Sequence, residues 1–196
     1  MIVKTYNNEL SSVDLNKIIQ TLRNGDIIIY PTDSVYAFAC DASNKNAVEQ
    51  ICRLRNKDVK RPELSLICSS ISQVRTFALF SDDTFKLMRQ LLPGAVTFIL
   101  QGSSKLPKLF KDRKTVGIRI SNHPIATQIV TEYAQPLMTA SLRVSDNDDV
   151  EYMTDPELMD EKYSDDVKLI IDAGIGGTQA SKIIDCTSDE AIVIRE

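Results

Sequence analysis

The sequence has no tryptophan and one histidine, His123. With one imidazole and no closely spaced Cys/His ligand set, a structural zinc site is excluded. A histidine-dependent triad would have to use His123, which directly precedes Pro124, and no GxSxG elbow accompanies it. The four cysteines, Cys40, Cys52, Cys68 and Cys186, include no CxxC pair and read as buried, reduced thiols. No apolar run reaches 18 residues, so no membrane span is expected. The opening MIVKTYNNELSS lacks the apolar core and small-residue cleavage site of a signal peptide, and a cytoplasmic location is expected. The phosphate loop GxxxxGK[ST] is missing. The glycine-rich GIGG at 174–177 leads into TQAS, so neither half of the dinucleotide fingerprint is satisfied.

What is present suits one globular domain over residues 1–196, with 43% hydrophobic residues and a net charge of −4. Charge is segregated. Residues 53–61 hold five basic side chains against one acidic, while residues 146–166 are strongly acidic. A local basic patch therefore remains compatible with nucleic acid even though the chain is acidic overall.

The organising stretch is 26–61. Ile27, Ile28 and Ile29 form an apolar run whose continuity suggests a strand buried on both faces. Pro31 stops it, and Thr32, Asp33, Ser34 and Tyr36 follow as polar groups in a turn. A helix over 44–54, packing through Ala47, Val48, Ile51 and Leu54, then ends in the basic cluster. Elsewhere helices are expected at 14–23, 82–92, from Pro124 onward and at 156–162. Strands are expected at 1–6, 35–40, 64–68, 95–100, 115–120, 137–141, 169–172, 183–186 and 191–194, the last two as a closing hairpin. This alternation predicts an α/β fold with a mixed sheet.

Several predicted strands carry polar residues where a plain core would avoid them: Ser65, Thr97, Arg119, Thr139 and Ser141, with Ser181 just ahead of another. A threonine in a strand is ordinary by propensity. Arg119, between Ile118 and Ile120, is not, and must either pair with an internal carboxylate or face an anionic ligand. Arg53 and Arg55 read either as a solvated basic helix end or, if the chain turns after residue 54, as forked donors converging on a carboxylate or phosphate. A cleft lined by hydroxyls and guanidiniums with few general bases suits phosphoryl or nucleotidyl chemistry, in which positioning and charge neutralisation dominate.

The stretches YPTDSVYAFACDA (30–42), ICRLR (51–55), LPGAVTFIL (92–100), VGIRISNHPIA (116–126), LMTASL (137–142) and ASKIIDCT (180–187) resemble the YrdC/Sua5 (TsaC-like) family over nearly the whole chain. The resemblance implies a twisted open mixed α/β sheet flanked by helices, with a basic concave face. It also implies an L-threonylcarbamoyladenylate synthase-like activity. L-threonine and bicarbonate would give N-carboxy-threonine, whose carboxylate attacks the α-phosphorus of ATP, supplied with Mg²⁺ as its substrate complex, and expels pyrophosphate. The product would pass to a tRNA-modification partner acting on adenosine 37.

On this resemblance Thr32, Tyr36, Arg119, Thr139 and Ser141 are expected to bind substrate. Arg53, Arg55 and Ser181 are expected at the nucleotide, with Arg53 and Arg55 supplying positioning and charge stabilisation. The family's KxR is RLR here, the asparagine of its SAN motif is missing, and the segment after RLR is longer. These departures resemble the YciO-like branch and imply a weakened activity. The alternative reading, a protein binding double-stranded RNA or tRNA, or associating with the ribosome, rests on the patch Lys57, Lys60 and Arg61.

Overall fold

The computed structural model describes residues 1–58, 64–107, 114–142, 149–188 and 190–196. The chain begins with β1 (Ile2–Lys4), α1 (Ser12–Arg23), β2 (Ile28–Tyr30), β3 (Ala37–Asp41), α2 (Lys45–Leu54) and β4 (Ser65–Ile67). It continues with α3 (Ile71–Phe77), β5 (Ala78–Leu79), α4 (Asp82–Leu91), β6 (Val96–Gly102) and β7 (Thr115–Arg119). The last elements are α5 (Pro124–Tyr133), β8 (Leu137–Ser141), α6 (Glu151–Thr154), α7 (Pro156–Tyr163), β9 (Leu169–Asp172), β10 (Lys182–Asp185) and β11 (Ile192–Arg195). Among the described residues, no helix is long and apolar enough to cross a membrane.

Local chemistry sets the helix boundaries. The side chains of Ser11, Asn44, Ser70 and Ser81 accept the first free amides of α1, α2, α3 and α4. Gly25, at φ +85°, provides the left-handed turn after α1. The sequence pattern places α1, α2 and α4 within a residue or two of their observed ends. It does not reveal α6 or the two-residue β5. α6 lies in acidic sequence with only four residues, too few to show a period.

Among the described residues, all the strands join one open mixed sheet in the order β1-β9-β2-β3-β8-β4-β7-β6-β10-β11, with β5 against β6. β1 is an edge, as its short polar-flanked run suggests. β10 and β11 form the expected antiparallel hairpin. Successive side chains alternate between two faces. On one face α2, α3, α4 and α7 cover Ile29, Phe38, Leu66, Phe98, Ile118 and Ile170. On the other, α1 and α5 cover Ile28, Tyr30, Ala39, Leu137 and Leu169, but this layer reaches only as far as Ile67 on β4. Beyond it the same face carries Ser65, Gly117, Arg119, Thr97 and Ile183, as the pairings of Ser65 with Gly117, Ile67 with Arg119, Arg119 with Thr97, and Thr97 with Ile183 require. The polar interruptions noted in the sequence thus lie where, among the described residues, the apolar cluster under α1 and α5 ends, and Thr97, Arg119 and Ser181 are themselves buried.

Phe98 is fully buried on the first face. Phe98→Ala is expected to lower stability by about 3–5 kcal/mol through lost burial and a cavity, read from the urea midpoint at unchanged m-value.

Candidate functional site

The site is built on the turn after β2. Pro31 ends the strand by removing a ladder donor. The Thr32 hydroxyl then organises the turn: it accepts from the Ser34 amide at 3.1 Å, donates to the Val35 carbonyl at 2.7 Å and lies 3.0 Å from the Ser34 hydroxyl. Such side-chain bonds to nearby backbone are how Thr and Ser fix turns.

Arg119 enters this turn from the end of β7. Its Nη2 donates to Asp33 Oδ1 at 2.9 Å and to Ser34 Oγ at 3.0 Å. Asp33 Oδ2 accepts from the Asn122 amide at 3.1 Å. Both members of the ion pair are buried, at 7% side-chain exposure each. Of the two alternatives the sequence left open, an internal carboxylate is the partner. Even so, the guanidinium is not consumed, because its Nε is buried without a hydrogen-bond partner. Arg119 therefore joins Thr32 and Ser34 in one network and keeps a donor in reserve, a state that costs free energy unless something else satisfies it.

Two hydroxyl pairs flank the network. The Tyr30 hydroxyl is 2.8 Å from Thr139 Oγ1, and burial pushes its phenol up to about 12, so it stays protonated. Thr97 Oγ1 is 3.0 Å from Ser181 Oγ. Arg195, on β11, donates through Nε and Nη2 to the Ser181 carbonyl at 2.9 and 2.7 Å, and through Nη2 to Ser181 Oγ at 3.3 Å. A register shift in the β10–β11 pairing places Arg195 opposite Ile183 and Val193 opposite Ile184, which turns Arg195 onto the face that carries Arg119 and Thr97. The row from β7 to β11 thus reads Arg119, Thr97, Ser181, Arg195. A guanidinium at each end with hydroxyls between suits an extended anion.

Close by, Ile67, Ser69, Ile120, Ser121, Ala126 and Thr127 line a crevice between the ends of β4 and β7 and the start of α5. His123, the residue before α5, is half-buried with its Nδ1 unbonded. Burial holds its imidazole below the usual histidine range, opposed by the nearby Asp33 charge.

The predicted residues separate into groups. Thr32 and Arg119 share the central network, and Thr139 and Ser181 flank it on the same face. Ser141, opposite Ala37, is half-buried. Tyr36 belongs to the other face and is 1% exposed, with its hydroxyl bonded between the Ala173 amide and the Gly174 carbonyl. α2 does end at Leu54, and Asn56 turns the chain with φ +49°. Arg53 is exposed while Arg55 is buried at 5% exposure. Lys57 is half-buried, and Lys60 and Arg61 lie outside the described residues.

Asp33 and Arg195 were missed as site residues. Asp33 was visible only as one polar group in a turn, without its partner 86 residues away. The signal for Arg195 was a lone cation closing an apolar strand.

Residues 20–196 match the family described as Sua5_yciO_yrdC, telomere recombination. The chain belongs to the Sua5/YciO/YrdC family. It is 35% identical over 184 residues to YciO of Escherichia coli (strain K12), covering 93% of this chain and 88% of that one. The crystal structure of E. coli YciO superposes with a TM-score of 0.90 at 32% identity, covering 100% and 95% of the two chains. A threonylcarbamoyl-AMP synthase of Psychromonas ingrahamii is 28% identical over 174 residues, covering 86% and 89%. The P. abyssi Sua5 structure complexed with L-threonine shares the fold, with a TM-score of 0.87 at 23% identity, covering 100% of this chain and 57% of that one. This agrees with the resemblance in the sequence, including its YciO-like branch.

Replacing Asp33 with alanine leaves the buried Arg119 charge uncompensated. A loss of about 3–5 kcal/mol is expected, measured by urea denaturation at neutral pH. A loss below 1 kcal/mol would mean that the pair is solvated.

Proposed function

We propose that this protein binds L-threonine at the Thr32–Ser34–Arg119 network and converts it, with bicarbonate and ATP, to threonylcarbamoyl-AMP and pyrophosphate. The observation that carries the reading is the Arg119 guanidinium. It is held by Asp33 and Ser34 yet retains a buried, unbonded Nε. A carboxylate is the ligand that would satisfy such a donor. The neighbouring crevice combines the aliphatic surface of Ile67, Ile120 and Ala126 with the hydroxyls of Ser121 and Thr127. That mixture suits a small side chain bearing one methyl and one hydroxyl. The relatives named threonylcarbamoyl-AMP synthase and the threonine complex of Sua5 support the same assignment.

The Thr97, Ser181 and Arg195 end of the row would then take the phosphates of ATP, which enters as its Mg²⁺ complex. The chemistry asks little of the protein beyond placement. Threonine nitrogen bonds to the carbon of bicarbonate as a C–O bond of bicarbonate breaks, and the hydroxide released leaves with a proton of the amine as water. The resulting carboxylate attacks the α-phosphorus, and the bond to pyrophosphate breaks. Two guanidiniums offset the negative charge gathered along this path. The product would serve tRNA modification through a partner protein.

The test is pyrophosphate release with threonine, bicarbonate and ATP each omitted in turn. Release that needs all three is expected, and release indifferent to threonine overturns the reading. Arg119→Ala is expected to weaken threonine binding at least about tenfold by calorimetry, the size of a lost charge-assisted hydrogen bond.

A further inference from the structure

The turn that carries Thr32 and Ser34 has a second neighbour. The segment 173–177, between β9 and β10, lies against it and is fastened at several points. The Tyr36 hydroxyl accepts from the Ala173 amide at 3.0 Å and donates to the Gly174 carbonyl at 2.9 Å. Burial pushes the Tyr36 phenol up to about 12, so its proton stays available for that second bond. Asp172 Oδ1 accepts from the Gly174 amide at 2.8 Å, and the Gly176 amide donates to the Thr154 carbonyl at 2.8 Å.

The glycines permit the contact. A Cβ on Gly176 would sit 2.5 Å from the Tyr36 ring, and one on Gly177 would sit 2.2 Å from the Ser34 carbonyl oxygen. Gly174 holds φ +83°, a left-handed conformation open to glycine. Such a segment has little side-chain packing of its own, since Gly174, Ile175 and Gly177 are all exposed. Its order therefore comes from the fastening.

We propose that the 173–177 segment is a wall of the threonine pocket, and that Tyr36 is a positioning residue that presses this wall onto Ser34 and through Ser34 fixes Arg119. The inference rests on the threonine reading above. Tyr36 does not touch the ligand. It acts from the opposite face of the sheet, through a hydroxyl bonded on both sides to the backbone of the wall. Releasing the wall leaves the Ser34 carbonyl without its glycine neighbour and lets the Ser34 hydroxyl, an acceptor for Arg119 at 3.0 Å, move with the turn.

The experiment combines hydrogen exchange with calorimetry on the full chain. In the wild-type protein L-threonine is expected to slow exchange of the amides in 173–177. Tyr36→Phe keeps the ring and removes the hydroxyl. It is expected to speed exchange there and to raise the threonine Kd by about tenfold, the equivalent of one to two ordinary hydrogen bonds. Wild-type protein that binds threonine without slowing exchange in 173–177 overturns the inference and leaves the threonine reading standing. So does a folded Tyr36→Phe variant that binds threonine as tightly as wild type. Wild-type protein that binds no threonine overturns both. Should Tyr36→Phe fail to fold, the wild-type exchange measurement decides alone.

Discussion

The ion pair between Asp33 and Arg119 holds the site together. In the sheet β3, β8 and β4 separate β2 from β7, so no backbone ladder joins the turn after β2 to the end of β7. The side chains do this instead. Asp33 takes the Nη2 of Arg119 on one oxygen and the Asn122 amide on the other, so a single carboxylate ties the turn to both β7 and the approach to α5. A buried charge cannot drift without losing its partner. The turn conformation, the direction of Arg119 and the entry to α5 are therefore set together.

The two faces of the sheet differ in what packs on them. One face is covered by four helices and contributes most of the core. The other is covered by α1 and α5 only as far as β4. Polar residues on the covered strands are satisfied internally, as Tyr30 and Thr139 are by each other. Past that boundary, hydroxyls and guanidiniums occupy the strand positions that would otherwise need apolar cover. Arg119 stands on the boundary itself, buried at 6% exposure and held by Asp33 and Ser34.

Much of the fold was legible because periodicity and capping are local. Ile18, Ile19 and Leu22 on α1 and the Ser81 cap of α4 need only a few neighbouring residues to be recognised. Sheet order and side-chain partnership are not local. Arg119 announced itself as an anomaly between two isoleucines, but nothing near it in sequence named Asp33. The family resemblance makes Tyr36 a substrate residue. The strand alternation that puts Phe38 on the α2 side carries Tyr36 with it, and only the return of the chain at 173–174 shows what its hydroxyl does. Arg53, in the last turn of α2, is exposed, while Arg55, at its C-cap, is buried. The orientation of Arg195 depended on a one-residue irregularity in the pairing of β10 and β11, which no composition rule reveals.

The register shift near Ile194 also bears on the order in which the protein takes shape during synthesis. Asp33 can meet Arg119 once the nascent polypeptide has grown past β7, but Ser181 acquires its arginine only with the final strand. The row is thus completed from two separate stretches of sequence: its β7 end needs a contact spanning 86 residues, its opposite end one spanning only 14. The β7 guanidinium can therefore be pinned while the other end still awaits the last strand.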